Sequence, residues 1–82
     1  MPPELNLPQR VAAEVRSEMG YQNKSIRDLA TALDVEYRAA KMRYDGTREY
    51  SLEEVPKVAE WLRCSVAQLT TGRRDRDMVA AA

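Results

Sequence analysis

Residues 25–46 read SIRDLATALDVEYRAAKMRYDG. Ile26, Leu29, Ala30 and Leu33 recur at i, i+3, i+4 and i+7, which is the apolar stripe of one helix face. Ser25 precedes the stripe as an N-cap, and Asp28 three residues on completes a near capping box. Asp34 stands where the chain must leave the helix, and Asp tolerates the unusual backbone angles such an exit requires. Val35 plugs the junction, and a second helix runs from about Glu36 to Asp45, closed by Gly46 as a C-cap. Two helices with so short a turn form a helix-turn-helix.

Working outward, residues 51–72 read SLEEVPKVAEWLRCSVAQLTTG. Leu52, Val55, Val58, Ala59 and Leu62 mark another amphipathic helix, with Ser51 and Glu54 as its capping pair. The ring of Pro56 removes an early hydrogen bond, so this helix is expected to start irregularly or late. A break at Arg63 and Cys64 leads to Ser65 as the next cap and to Val66 and Leu69 on a last short helix, ended by Gly72. On the other side, Asn6 can cap a first helix with Pro8 in its first turn. Leu7, Val11, Val15 and Met19 recur every four residues along it, beside Ala12, until Gly20 ends it. The pattern predicts five helices and no sheet, at roughly 7–19, 25–33, 36–45, 51–63 and 65–71. Their shared core is expected from Leu29, Leu33, Val35, Val55, Ala59, Leu62 and Leu69. Residues 1–6 read as a flexible leader. Residues 73–82, RRDRDMVAAA, read as a charged segment with a small apolar tip, a candidate for disorder or for dimerisation.

Over residues 9 to 72 the chain resembles the Cro and phage-repressor type of helix-turn-helix domain, the lambda-repressor-like or XRE family. That family's Thr/Ser-x-x-Glu-Leu-Ala opening is met by Ser25, Asp28, Leu29 and Ala30. Its closing Gly is met by Gly46, and its closing Ala-x-x-Leu-x-Val-Ser-x-x-x-Leu-x-x-Gly pattern by Ala59, Leu62, Cys64, Ser65, Leu69 and Gly72. The resemblance implies an all-α, five-helix bundle that reads double-stranded DNA with its third helix. The chain departs from the pattern at Asp34, where Gly is usual, and at Glu36, where Ser or Thr caps the recognition helix. Ala40 is smaller than the usual Ile or Val, a gap that the ring of Tyr44 can fill. The loop of Tyr21, Gln22, Asn23 and Lys24 is longer than in most family members.

Composition sets the limits. Eighty-two residues make one domain, short for an enzyme with a deep cleft. No apolar run approaches the ~20 residues that span a bilayer, and the start lacks a secretion pattern. One Cys makes no internal disulfide, so a reducing cytoplasm is the expected setting, that of a bacterial host. Ten Arg stand against three Lys, a balance of GC-rich bacterial or phage genomes. With no His, no metal-ligand spacing and no Gly-rich phosphate loop, neither catalysis nor a metal, cofactor or small-molecule substrate is expected. The zero net charge counts against nucleic acid, yet its distribution is uneven. Arg38, Lys41, Arg43 and Arg48 face only Asp45 between positions 37 and 48, a surplus of three. Glu49, Glu53, Glu54 and Glu60 face only Lys57 in the next twelve, a deficit of three. One basic face still releases counterions locally. The bland alternative is the mixed charge of any solvated helical surface.

The family register puts Tyr37, Arg38, Lys41 and Met42 towards base edges. The planar fork of Arg38 can bond O6 and N7 of guanine together; Lys41 offers a point charge. Tyr37 can equally be a lid on the turn, and Met42 core filler. Phosphate anchors are expected from Asn23, Lys24, Ser25 and Arg27 around free N–H groups at the start of the second helix. Arg43, Thr47 and Arg48 are expected to reach the opposite backbone. Trp61 is expected to pack on the first helix, or alternatively to join an apolar patch for a second subunit. Cys64 reads as buried and inert. The function that follows is a sequence-specific transcriptional regulator of small-repressor type, phage or prophage encoded, binding an operator as a weak dimer formed mainly on DNA. An accessory DNA-binding protein, such as an excision factor or antitoxin, or a helical protein-interaction module without DNA binding, are the alternatives.

Overall fold

A computed structural model describes residues 6–72. Five helices follow one another: α1 (Leu7–Tyr21), α2 (Ile26–Leu33), α3 (Tyr37–Asp45), α4 (Glu54–Leu62) and α5 (Val66–Thr71). Among the described residues there is no strand. Residues 1–5 of the expected leader and the whole tail 73–82, with its suggested dimerising role, lie outside the described residues.

All the helix starts but that of α3 are capped by side chains close by in sequence. Asn6 Oδ1 accepts from the Gln9 N–H at 3.0 Å while Gln9 Oε1 accepts from the Asn6 N–H at 3.3 Å, a reciprocal box. Ser25 and Asp28 repeat it at 2.9 and 3.1 Å, and Ser51 and Glu54 at 2.9 and 3.1 Å. α4 nevertheless begins only at Glu54, later than the expected 51. Pro56 is thus its third residue, where the missing N–H has no intrahelical acceptor to lose. Leu52, expected on the apolar stripe, falls instead in the turn before the helix and is 92% exposed. Leu7, at the first helical position of α1, is also exposed, beyond the reach of the core.

One exit differs from expectation. Gly20 does not end α1, because the Gln22 N–H still donates to Glu18 O at 2.9 Å; the left-handed residue is Asn23, at φ 60°. Asp34 does take the left-handed conformation, at φ 56°, and turns the chain between α2 and α3. Arg63 does the same after α4, at φ 57°. An L side chain pays for this region with about 1–2 kcal/mol, and Gly returns part of that gain as unfolded-state entropy. Arg63→Gly is therefore expected to raise stability by about 0.5–1 kcal/mol. A urea midpoint no higher than that of the parent protein would deny the strain.

Val15, Met19, Leu29, Val58, Leu62 and Leu69 are fully buried and draw α1, α2, α4 and α5 into one core. Leu33 and Ala59 are buried with them, whereas Val35 and Val55 only flank it. Ala40 is fully buried, and Tyr44 lies half-buried beside the core, as its small neighbour requires. Cys64 is half-buried against the same core. The phenol of Tyr50 is buried with no acceptor among the described residues, and burial pushes its pKa up, so it stays protonated. A feature with no sequence signal joins the helices. α1 and its C-cap supply donors to the C-terminal carbonyls of three others: Arg16 Nη1 to Tyr44 O at 2.8 Å, Arg10 Nη1 to Thr71 O at 3.3 Å and Gln22 Nε2 to Leu62 O at 2.6 Å. These carbonyls have no intrahelical partner, and a cation there also meets the negative end of the helix dipole.

Candidate nucleic-acid interface

The inward positions of α3 are Ala40 and Arg43, so the opposite positions must face solvent. Tyr37, Arg38, Lys41 and Met42 all stand there, exposed and adjacent at i, i+1, i+4 and i+5. Arg38 makes no hydrogen bond or ion pair with any described residue. Lys41 instead holds Asp45 through its Nζ at 3.0 Å, which lowers the local charge available to a ligand. Glu36 gives α3 no side-chain cap, leaving first-turn N–H groups of this helix open to solvent.

Arg43 corrects the expectation of a phosphate anchor. It is 7% exposed, and its Nε donates to Glu54 Oε1 at 2.8 Å while Nη1 donates to Ala39 O at 3.0 Å. Residue 43 lies three positions beyond Ala40, on the face of α3 that turns towards α4. The guanidinium thus reaches protein, not solvent. The same carboxylate oxygen accepts the Ser51 N–H, so one group ties α3 to the start of α4. Burial pushes the Glu54 carboxyl up, but bonds from Arg43 and the Ser51 N–H, with the charges of Arg43 and Arg48, outweigh it. The net effect holds the group below its ordinary 4.5.

Around the start of α2 the expected anchors are partly engaged. The Ser25 N–H, expected free, donates to Asp28 Oδ2 at 2.9 Å. Those bonds from Ser25 hold the Asp28 carboxyl below its ordinary range, so a negative charge sits where a phosphate was placed. Lys24 lies with its Nζ 4.7 Å from the centroid of the Trp61 ring and donates to Trp61 O at 3.4 Å. Trp61 is half-buried against the core and also lines a groove with Lys24, Asp28, Thr31 and Ala32. Asn23 and Arg27 are exposed. Beyond α3, the Thr47 hydroxyl donates to Met42 O at 3.1 Å, so its proton is not free for a phosphate. Arg48 is exposed, and its N–H anchors the turn on Met42 O at 3.2 Å.

With Arg43 matched by Glu54, the exposed surplus between positions 37 and 48 is Arg38, Lys41 and Arg48 against Asp45, or two charges rather than three. Reading by sequence missed Glu54 and Arg16, which fix α3 in place without facing outward. Glu54 was legible only as a capping residue, because a pairing eleven positions apart leaves no periodic trace. No protein-family model matches the chain, and no curated protein or solved structure is significantly similar to it.

Proposed function

We propose that this protein is a sequence-specific double-stranded DNA-binding transcriptional regulator of the Cro or small-repressor type, with a lambda-repressor-like fold. In this reading α2 and α3 form the helix-turn-helix, and α3 lies in the major groove. The observation that carries it is Arg38, exposed on the outward face of α3 without a partner among the described residues, on a helix held by the Arg43–Glu54 ion pair. A guanidinium kept free of protein partners can offer its fork to guanine O6 and N7. Tyr37, Met42 and Lys41 flank it on the same face, and Arg48, Arg27 and Asn23, all exposed, take phosphates in this reading. The protein works in a bacterial host cytoplasm, encoded by a phage or prophage, and binds an operator as a weak homodimer. An excision factor or antitoxin would use the same surface.

A second reading has a specific observation behind it. Arg43 is paired with Glu54, Lys41 with Asp45, and Lys24 stacks on Trp61, which together reduce the basic face. A protein-interaction module without DNA binding accommodates these pairings equally well. Salt dependence separates the readings, because each phosphate contact adds about 0.9 to the slope of log K on log salt. On duplexes selected from a random pool, Arg38→Ala is expected to weaken binding by about 1–3 kcal/mol and to relax preference at one base pair. Arg48→Ala is expected to weaken all duplexes alike and to lower the slope by about one unit. Salt-independent binding, or variants indistinguishable from the parent on every duplex, would refute the DNA-binding reading.

A further inference from the structure

The exposed charges of α3 and its N-cap cancel, with Arg38 and Lys41 standing against Glu36 and Asp45. Lys41 and Asp45 hold each other at 3.0 Å, which leaves Arg38 and Glu36 as the two charges open to a ligand. Neither makes a side-chain hydrogen bond or ion pair with a described residue. Glu36 occupies the N-cap in extended backbone, at φ −68° and ψ 156°, where Ser, Thr, Asn or Asp would accept a first-turn N–H. Its longer side chain accepts none, although Asn6, Ser25, Ser51 and Ser65 do so at the other helix starts. A carboxylate there is also repelled by the phosphates of any duplex that α3 enters. A local rule broken with no compensating contact inside the protein points to a partner outside it.

We propose that Glu36 is a specificity-determining residue of this surface, accepting a hydrogen bond from the N4 amine of a cytosine in the major groove. The assignment rests on the operator-binding reading of α3 and names a base which that surface selects. A recognition helix presents its N-terminal residues to base edges, and the N-cap is the first of them. An ionised carboxylate only accepts, so guanine O6 and N7 and thymine O4 repel it, while an exocyclic amine satisfies it. Adenine sets the N7 acceptor beside its amine, an edge matched by an amide side chain that both donates and accepts. Cytosine offers the amine alone, and it is the base that a carboxylate fits. Glu36 thereby acts in two ways, by contact with the right base pair and by repulsion from every pair that lacks the amine. Arg38 beside it supplies the opposite chemistry, two donors for guanine.

Sites selected from a random duplex pool by the parent, Glu36→Gln, Glu36→Ala and Arg38→Ala, at one salt concentration, test it. Glu36 is in solvent and bonds to no described residue, so its variants are expected to fold, which circular dichroism melts check. The parent's site should hold a cytosine at a position distinct from the one relaxed in Arg38→Ala. Glu36→Gln should replace that cytosine with adenine. Glu36→Ala should relax that position alone, weaken binding to the parent's site about ten-fold and tighten binding to an unrelated duplex at least two-fold. Tighter binding to all duplexes with every preference kept would reduce Glu36 to a repelling charge and overturn the assignment. A relaxed position that the parent fills with any base but cytosine would overturn it too. Glu36 variants that select as the parent does, while Arg38→Ala loses its one base pair, would overturn it and leave the operator-binding reading standing. A parent that selects no duplex would remove both.

Discussion

Arg43→Ala is expected to lower the unfolding free energy by about 3 kcal/mol, the lower end of the effect of removing one partner from a buried ion pair, because Glu54 is only half-buried. The guanidinium is 7% exposed and the Glu54 carboxylate, which also caps the start of α4, would be left facing only the Ser51 N–H. A domain this size rarely has more than ~3–5 kcal/mol in hand, so the variant should be largely unfolded at 37 °C. The double variant Arg43→Met with Glu54→Leu separates charge from shape, because an apolar pair of similar volume often restores stability. If Arg43→Ala unfolds at the parent's urea midpoint, the pair does not tie α3 to the start of α4. The pair also sets a pH dependence. A carboxyl held below its ordinary 4.5 in the fold contributes stability above that value and loses it as pH falls towards the folded pKa. The stability gap between the parent and Glu54→Gln should therefore be constant at neutral pH and close below about pH 4.5. Asp28 is held down in the same direction by Ser25, so the gap between the two proteins is the quantity to follow.

Leu29→Ala is expected to cost about 2–5 kcal/mol, the transfer free energy of the lost methyls plus the cavity they leave. Leu29 has no exposed surface and sits on the stripe by which α2 meets the core. At 4–8 °C per kcal/mol for so short a domain, the thermal midpoint should fall by roughly 8–40 °C. Leu29→Met, which conserves volume, should cost less than ~1.5 kcal/mol. Circular dichroism melts of the two variants decide it: equal midpoints would mean that the site is not close-packed.

The two effects mark different kinds of information in the chain. Leu29 is legible in the sequence because burial follows a 3.6-residue period, and any Leu at that phase of an amphipathic helix goes inward. Helix starts were legible for the same local reason: Asn6, Ser25, Ser51 and Ser65 bond within three residues of themselves. Arg43 was not legible. As a cation in a basic segment it reads as a DNA contact, and only the tertiary fold, which brings the first residue of α4 to the Arg43 side chain, supplies the carboxylate that takes it inside. Lys24, taken up by Trp61, failed as a free anchor in the same way.

From sequence alone, then, came the five helices, their order, most of their caps and the left-handed exit at Asp34, since each depends on interactions a few residues long. The tertiary structure decided the rest. It showed which cations stay free, how α1 closes the ends of three helices, and that Leu52 stands in solvent. Those outcomes depend on partners 11 to 61 residues apart. A charged or apolar side chain carries no local mark of which distant group will reach it. That is settled only when the buried core fixes the helices against one another.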